Sequence, residues 1–253
     1  MSPSPLTLDI IRTCVALSML GYGSVSDLRT REVHDLLWVI GGGAGLVLDA
    51  YELLLGTLSL RQLTFSVGFM IAAGLVLGYL RLFGGADLLA FIALSVIHPR
   101  APVYLQINLG WSPPFYAFTL ISNTAFAGIV TPLVALARNL GAVGGGADLF
   151  ERHGDISALK KAALMFTAVN VRLGDVKGPP YQYPLEETEG VLRLRPDIWD
   201  DEKAAEAFRA LGERGIERVW VSATLPYLVL ITVGYLISVV FGDVLLWFFV
   251  LWA

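Results

Sequence analysis

Leu6 to Arg31 reads LTLDIIRTCVALSMLGYGSVSDLRTR, an apolar run that ends at Asp27 and the basic pair Arg29 and Arg31. A bilayer is crossed by ~20 mostly apolar residues in a helix, and Leu6 to Ser26 supplies that length. Asp9 and Arg12 interrupt the run near its start. They lie three apart on one helix face and are expected to pair near the interface. Asp27 sits where the membrane-length segment meets a charged turn. A carboxylate at such a boundary is costly and marks a candidate functional residue.

Similar apolar segments follow at Leu36 to Leu55, Leu63 to Phe83, Ala86 to Tyr104, Pro114 to Ala137 and Trp220 to Phe241. The last is extended by the apolar tail Val244 to Trp252. The bulk numbers agree: of 253 residues 55% are apolar and 16% charged, with a mean hydropathy of +0.65. A soluble domain carries about 25% charge. The expected fold class is therefore an α-helical membrane protein. It is a bundle of about six transmembrane helices with a small soluble α+β domain inserted before the last helix. The expected divisions are 1–138 for the membrane part, 139–218 for the insert and 219–253 for the final helix. The amino end lacks a basic region before its apolar run, so the first segment is expected to stay as a helix. The net charge of −4 gives no footprint for nucleic acid.

The fourth segment decides the topology. Its clean apolar stretch, Leu88 to Ile97, spans ~15 Å, half the hydrocarbon core. Either the helix kinks at Pro99 and continues, or the segment is short and sheltered by its neighbours. With six spans and the amino end outside, Arg29, Arg31, Arg81 and Arg138 fall inside. Arg12, Arg61 and Arg100 fall outside. That bias favours a crossing fourth segment and puts Asp27, Asp87 and the insert on the cytoplasmic side of a multi-pass cell-membrane protein. In the second segment, Asp49 and Glu52 must lie at the interface or face protein. The glycines from Gly41 to Gly45 let helices approach closely.

The insert opens with a flexible glycine linker, Gly141 to Gly146. Leu164 to Leu173 and Gly190 to Arg195 read as strands. A helix is expected from Asp200 to Leu211, after Asp197, with acids in its first turn and Arg209 near its end.

The second candidate carboxylate closes Gly84-Gly85-Ala86-Asp87 and opens the short apolar run. Taken singly, Asp27 reads as a helix-end cap and Asp87 as the N-cap of the fourth helix. Taken together, on one side of the membrane, they read as a hydrolytic dyad. Two adjacent carboxylates do not both ionise easily. One draws a proton from water while its protonated partner supports the carbonyl oxygen. Gly84, Gly85 and Ala86 are candidate substrate-binding residues, because glycine permits unusual backbone angles and leaves room for an extended peptide.

These residues resemble a known family. Ser26-Asp27-Leu28-Arg29-Thr30-Arg31-Glu32-Val33, followed by Trp38, is similar to the first-aspartate motif of type IV prepilin peptidases. Gly84-Gly85-Ala86-Asp87 is similar to the second, the GxGD signature of intramembrane aspartyl proteases, in the Gly-Ala-Asp form of the archaeal preflagellin and prepilin peptidases. The resemblance implies an aspartic endopeptidase with Asp27 and Asp87 as its catalytic pair and no cofactor. It cuts the short basic leader from archaellin or pilin-like precursors at the cytoplasmic face. Leu89 stands where many members have lysine, and His34 near where many have proline or asparagine. Cys14 alone cannot build the cysteine cluster of the bacterial relatives, so no methyltransferase activity is expected.

Other signals are weaker. Gly145-Gly146-Ala147-Asp148 repeats the second motif but leads into a polar stretch and reads as a linker. Glu186, Glu187 and Glu189 read as solvated loop residues or as attractors for a basic leader. His34, His98 and His153 have no metal spacing. His34 reads as an interfacial histidine or as a tuner of Asp27. Arg29 and Arg31 read as positive-inside anchors or as partners of Asp27. The competing function classes are an ion- or proton-coupled transporter using boundary carboxylates such as Asp49 and Glu52, and a non-catalytic assembly protein.

Overall fold

The computed structural model describes residues 3–80, 84–186, 191–196, 200–223 and 226–252. Phe83, Arg81, Glu187, Glu189, Gly190 and Asp197, which carried expectations above, lie outside the described residues. In chain order the elements are α1 (Pro5–Thr30), α2 (Leu36–Leu55), α3 (Leu60–Tyr79), α4 (Gly85–Ile97), α5 (Val103–Leu109), α6 (Tyr116–Gly128) and α7 (Val130–Gly144). There follow α8 (Ala158–Thr167), β1 (Val169–Arg172), β2 (Gln182–Pro184), α9 (Asp201–Glu213), β3 (Arg218–Ala223), α10 (Tyr227–Phe241) and α11 (Val244–Trp252). They form two compact units, Met1–Ala127 with Pro226–Ala253, and Gly128–Leu225.

The first unit is a helical bundle. Pro5–Thr30, Leu36–Leu55, Leu60–Tyr79 and the stretch Tyr116–Gly144 are long and apolar enough to cross a membrane; α4 and α10 are apolar but shorter. Local chemistry sets the helix ends. Ser4 caps α1 by accepting the Thr7 N–H, with proline at the first turn. Ser59 and Gln62 close a capping box on α3.

Short α4 is the centre of this unit. Its Ala90, Phe91, Leu94 and Ile97 are each at most 1% exposed, among Leu20 of α1, Trp38 of α2, Met70 of α3 and Ile231 of α10. A helix enclosed by other helices need not match the bilayer thickness. The fourth segment is thus a broken helix: α4 stops at Ile97, Pro99 lies in the break, and α5 resumes at Val103.

The ends inside the bundle are capped by the two charges of α1. Arg12 donates to the Ile97 carbonyl at 2.6 Å, and Asp9 accepts the Val103 N–H at 2.7 Å. A cation meets a helix C-terminus and an anion an N-terminus, as the peptide dipoles favour. Asp9 and Arg12 therefore do not pair with each other as expected. Arg12 pairs with Asp49 at 2.8 Å and Glu52 at 2.6 Å. Asp9 pairs with Arg100 at 3.1 Å. Asp49 and Glu52 face protein, as the sequence required.

Glycines make the close approaches. A Cβ on Gly45 would lie 3.0 Å from the Ile97 backbone, and one on Gly41 would run into the Met19 sulfur.

The second unit holds a three-stranded antiparallel sheet in the order β1-β3-β2. Val169 pairs with Val221 and Tyr183 with Ser222. Alternation along β3 sends Trp220 to a core with Leu164 and Leu185, and Val219 and Val221 to a second core with Leu211.

The expected helix from Asp200 to Leu211 forms as Asp201–Glu213, ending two residues further along, with Asp200 as its cap. Four other expectations fail here. Residues 164–167 belong to α8, because Ser157 caps a helical turn that runs through them; the strand begins at Val169. Gly141 to Gly144 continue α7 rather than form a linker. Trp220 lies in β3, so the final apolar helix starts at Tyr227. Arg218 to Ala223 alternates and finds strand partners on both sides. Among the described residues 191–196, Leu192 makes an isolated bridge to Glu186 and no strand.

Candidate active site

Asp27 occupies the last turn of α1. That helix ends on Arg31 in the left-handed region, φ 60°, whose N–H returns to the Asp27 carbonyl. The turn carries the Arg31 guanidinium to 4.0 Å from Asp27 Oδ1, so Arg31 acts as the electrostatic partner the sequence offered as one alternative. The other oxygen, Oδ2, accepts the backbone N–H of Leu228 at 3.3 Å. That amide belongs to the first turn of α10, where helix N–H groups lack partners of their own. Asp27 thus caps a helix end, but one 201 residues away in the chain.

Asp87 is not the N-cap of α4. Gly84 holds that place, and Asp87 lies three residues further on, where its Oδ2 accepts the Gly84 N–H at 2.9 Å. Half of a capping box therefore fixes this carboxylate. Gly84 has φ −81° and ψ 168°, angles open to any residue. The value of the glycines is space: Gly84 and Gly85 are exposed, and a side chain on Gly85 would meet nothing within 4 Å. Ala86 is half-buried and packs against the core. The three leave one edge of the α4 start open beside Asp87.

The two carboxylates lie within electrostatic reach of each other, and Tyr227, the first residue of α10, lies within reach of Asp87. Both aspartates are half-buried. Such a pair, joined by a cation and a helix N-terminus at one member, can share a proton asymmetrically and polarise a water. No group of three or more His, Cys, Asp or Glu able to hold a metal occurs among the described residues.

The remaining candidates fall elsewhere. Asp148 accepts the Phe150 N–H in a local turn, in the second unit. His34 accepts the Leu36 N–H and starts α2. Glu186, read as a solvated acid, is 2% exposed. It accepts the Trp220 N–H at 2.9 Å and Arg152 at 2.7 Å, which removes it from the surface. Asp49 and Glu52, the acids that suited a carrier, are ion-paired with Arg12 and Arg100. A cleft of about 1030 Å³ lined by Arg61, Phe65, Phe69, Pro99, Gln106 and Phe118 includes neither Asp27 nor Asp87. The turn of α10 at Asp27 was missed, since a backbone amide leaves no mark in a side-chain pattern.

Residues 14–133 match the Type IV leader peptidase family, and residues 160–244 match the archaeal peptidase A24 C-terminus, type II. Together the two matches span most of the chain and make it similar to type IV leader peptidases of the archaeal kind. The first match holds both aspartate motifs and the second holds the sheet and the start of α10. The chain is similar to a preflagellin peptidase of Methanococcus maripaludis, 25% identical over 242 residues, 90% of this chain and 93% of that one. A preflagellin peptidase of Methanococcus voltae is 26% identical over 246 residues, 91% and 96% of the two chains. One from Methanocaldococcus jannaschii is 24% identical over 230 residues, 87% and 89%. The likeness to these relatives thus runs along nearly the whole length of the chain, apolar helices and sheet together.

Proposed function

We propose that this chain is a membrane-embedded aspartic endopeptidase that removes the short basic leader of archaellin or type IV pilin-like precursors at the cytoplasmic face. The observation that carries the reading is that α1 and α4, whose ends bear Asp27 and Asp87, pack into one core in a chain similar to preflagellin peptidases.

Arg31 and the Leu228 amide favour Asp27 as the charged member of the pair. Asp27 takes a proton from water, and the hydroxide equivalent attacks the scissile carbonyl. Asp87, protonated, donates to the carbonyl oxygen as charge develops there. The C–N bond then breaks, and the proton gained by Asp27 passes to the leaving amine. The open edge at Gly84, Gly85 and Ala86 suits an extended backbone. The substrate helix must therefore be unwound where it is cut. Arg29 and Arg31 beside Asp27 support the cytoplasmic assignment.

The test mixes the full-length protein in liposomes with a purified preflagellin precursor and follows loss of the leader on a gel. Asp27→Asn and Asp87→Asn are each expected to lower cleavage by about 10²–10⁴-fold or more. Asp148→Asn is expected to cut at the parent rate. Near-normal cutting by either dyad variant removes that residue from the mechanism.

A further inference from the structure

Asp27 is held by a helix that neither aspartate motif contains. The N-cap of α10 is Pro226, which makes no side-chain hydrogen bond to the turn it opens. The first-turn amides are left for another acceptor, and the Leu228 N–H takes Asp27 Oδ2 at 3.3 Å.

The same turn is fastened to α1 by side chains. Ser24, three residues before Asp27, donates to the Leu228 carbonyl at 3.1 Å and shares a hydrogen bond of 2.7 Å with Thr232 Oγ1. Thr232 Oγ1 also lies 2.8 Å from the Leu228 carbonyl, so two hydroxyl protons are shared among the three contacts. Ser24 and Leu228 are both buried. Gly23 admits this contact: a Cβ there would stand 3.1 Å from the Trp38 ring and 3.7 Å from Leu228.

We propose that the first turn of α10 is a working part of the dyad site and that Ser24 is its positioning residue. The inference rests on the peptidase reading above. Ser24 and Thr232 hold the carbonyl of Leu228, and the N–H of the same residue, in the peptide unit before it, holds one oxygen of Asp27. The other oxygen lies beside Arg31 and accepts no hydrogen bond from the first turn of α10. A base held by one oxygen presents the second in a constant direction, and a misplacement of about 1 Å costs on the order of 10²-fold in rate. Loss of the Ser24 hydroxyl frees the turn without removing any group that touches substrate.

Cleavage kinetics of the reconstituted full-length protein on a preflagellin precursor test this. Ser24→Ala is expected to lower kcat by about 10–100-fold, with KM and melting temperature at the parent values. Ser24→Thr, which keeps the hydroxyl, recovers most of the loss. The control is Ser66→Ala, another buried serine, which donates across helices to the Ser95 carbonyl at 3.2 Å and stands away from the dyad. Its kcat stays at the parent value. Equal kcat for Ser24→Ala and Ser66→Ala overturns the inference and leaves the peptidase reading intact. A parent protein that leaves the precursor whole overturns the peptidase reading itself.

Discussion

Arg12 ties the end of α4 to α2 from its place on α1. It is 1% exposed and meets Asp49, Glu52 and the Ile97 carbonyl. Removing one partner of a buried pair leaves an uncompensated charge, at a cost of about 3–5 kcal/mol. Arg12→Ala is therefore expected to lower the melting temperature in detergent sharply. Arg12→Lys, a single point charge without the planar fork, should recover part of it. A melting temperature unchanged in Arg12→Ala would show the network to be passive. The sequence placed Arg12 on one face with Asp9, and spacing stops there; which helix end faces that stripe is a property of packing. Tyr183 offers a second residue-scale test. Burial and its hydrogen bond to Asp201 push its phenol from 10.0 up to about 12. The unfolded chain then gives up this proton first as pH rises. The stability Tyr183 contributes is whole below about pH 10 and is lost towards about pH 12. Tyr183→Phe should flatten that part of the alkaline decline in melting temperature.

At the scale of elements, glycine sets the closest approaches between helices whose core is otherwise built of large apolar side chains. A Cβ on Gly234 of α10 would lie 2.6 Å from the Thr124 Cα of α6, where backbone rather than a flexible side chain must give way. Gly234→Ala is expected to destabilise by about 1–3 kcal/mol, as overpacking does. Gly43→Ala, with nothing within 4 Å, should be neutral or slightly stabilising, since alanine favours helix by up to ~1 kcal/mol over glycine. Thermal melts of the two variants side by side decide the matter. The glycine run in the second segment was legible as a packing device, and so was the existence of each long apolar helix. The errors fell where one composition suits two structures. Ala-Leu-Met-Phe-Thr at 163–167 is rich enough in strand formers to read as β, yet it completes the helix that Ser157 caps. Trp220 reads as membrane-apolar, yet a two-residue alternation with partners on both sides makes it the core of a sheet. Pairing of this kind joins residues fifty apart, beyond any window of local pattern.

For the whole molecule, the short fourth segment fixes the side on which everything after it emerges. The aspartate motifs were readable because both are local, Asp27 with its arginines and Asp87 with its glycines. Their convergence was not, because it depends on α4 being central and on α10 returning to the end of α1. That return requires α1 to end, and α10 to begin, on one membrane face. The basic residues Arg29 and Arg31 make the cytoplasmic face the expected one. If α4, the break and α5 together cross, Glu206 in the second unit and Asp35 between α1 and α2 share that face, and Leu60 at the start of α3 lies on the other. Single cysteines at these three positions in a Cys14→Ser background, probed with a membrane-impermeant maleimide, test it directly. Labelling at 35 and 206 is expected from the cytoplasmic side of sealed vesicles, and at 60 from the outer side. Labelling at 206 and 60 from the same side would mean that the broken helix turns back, and that Asp27 and the start of α10 reach each other by some route other than an even number of crossings.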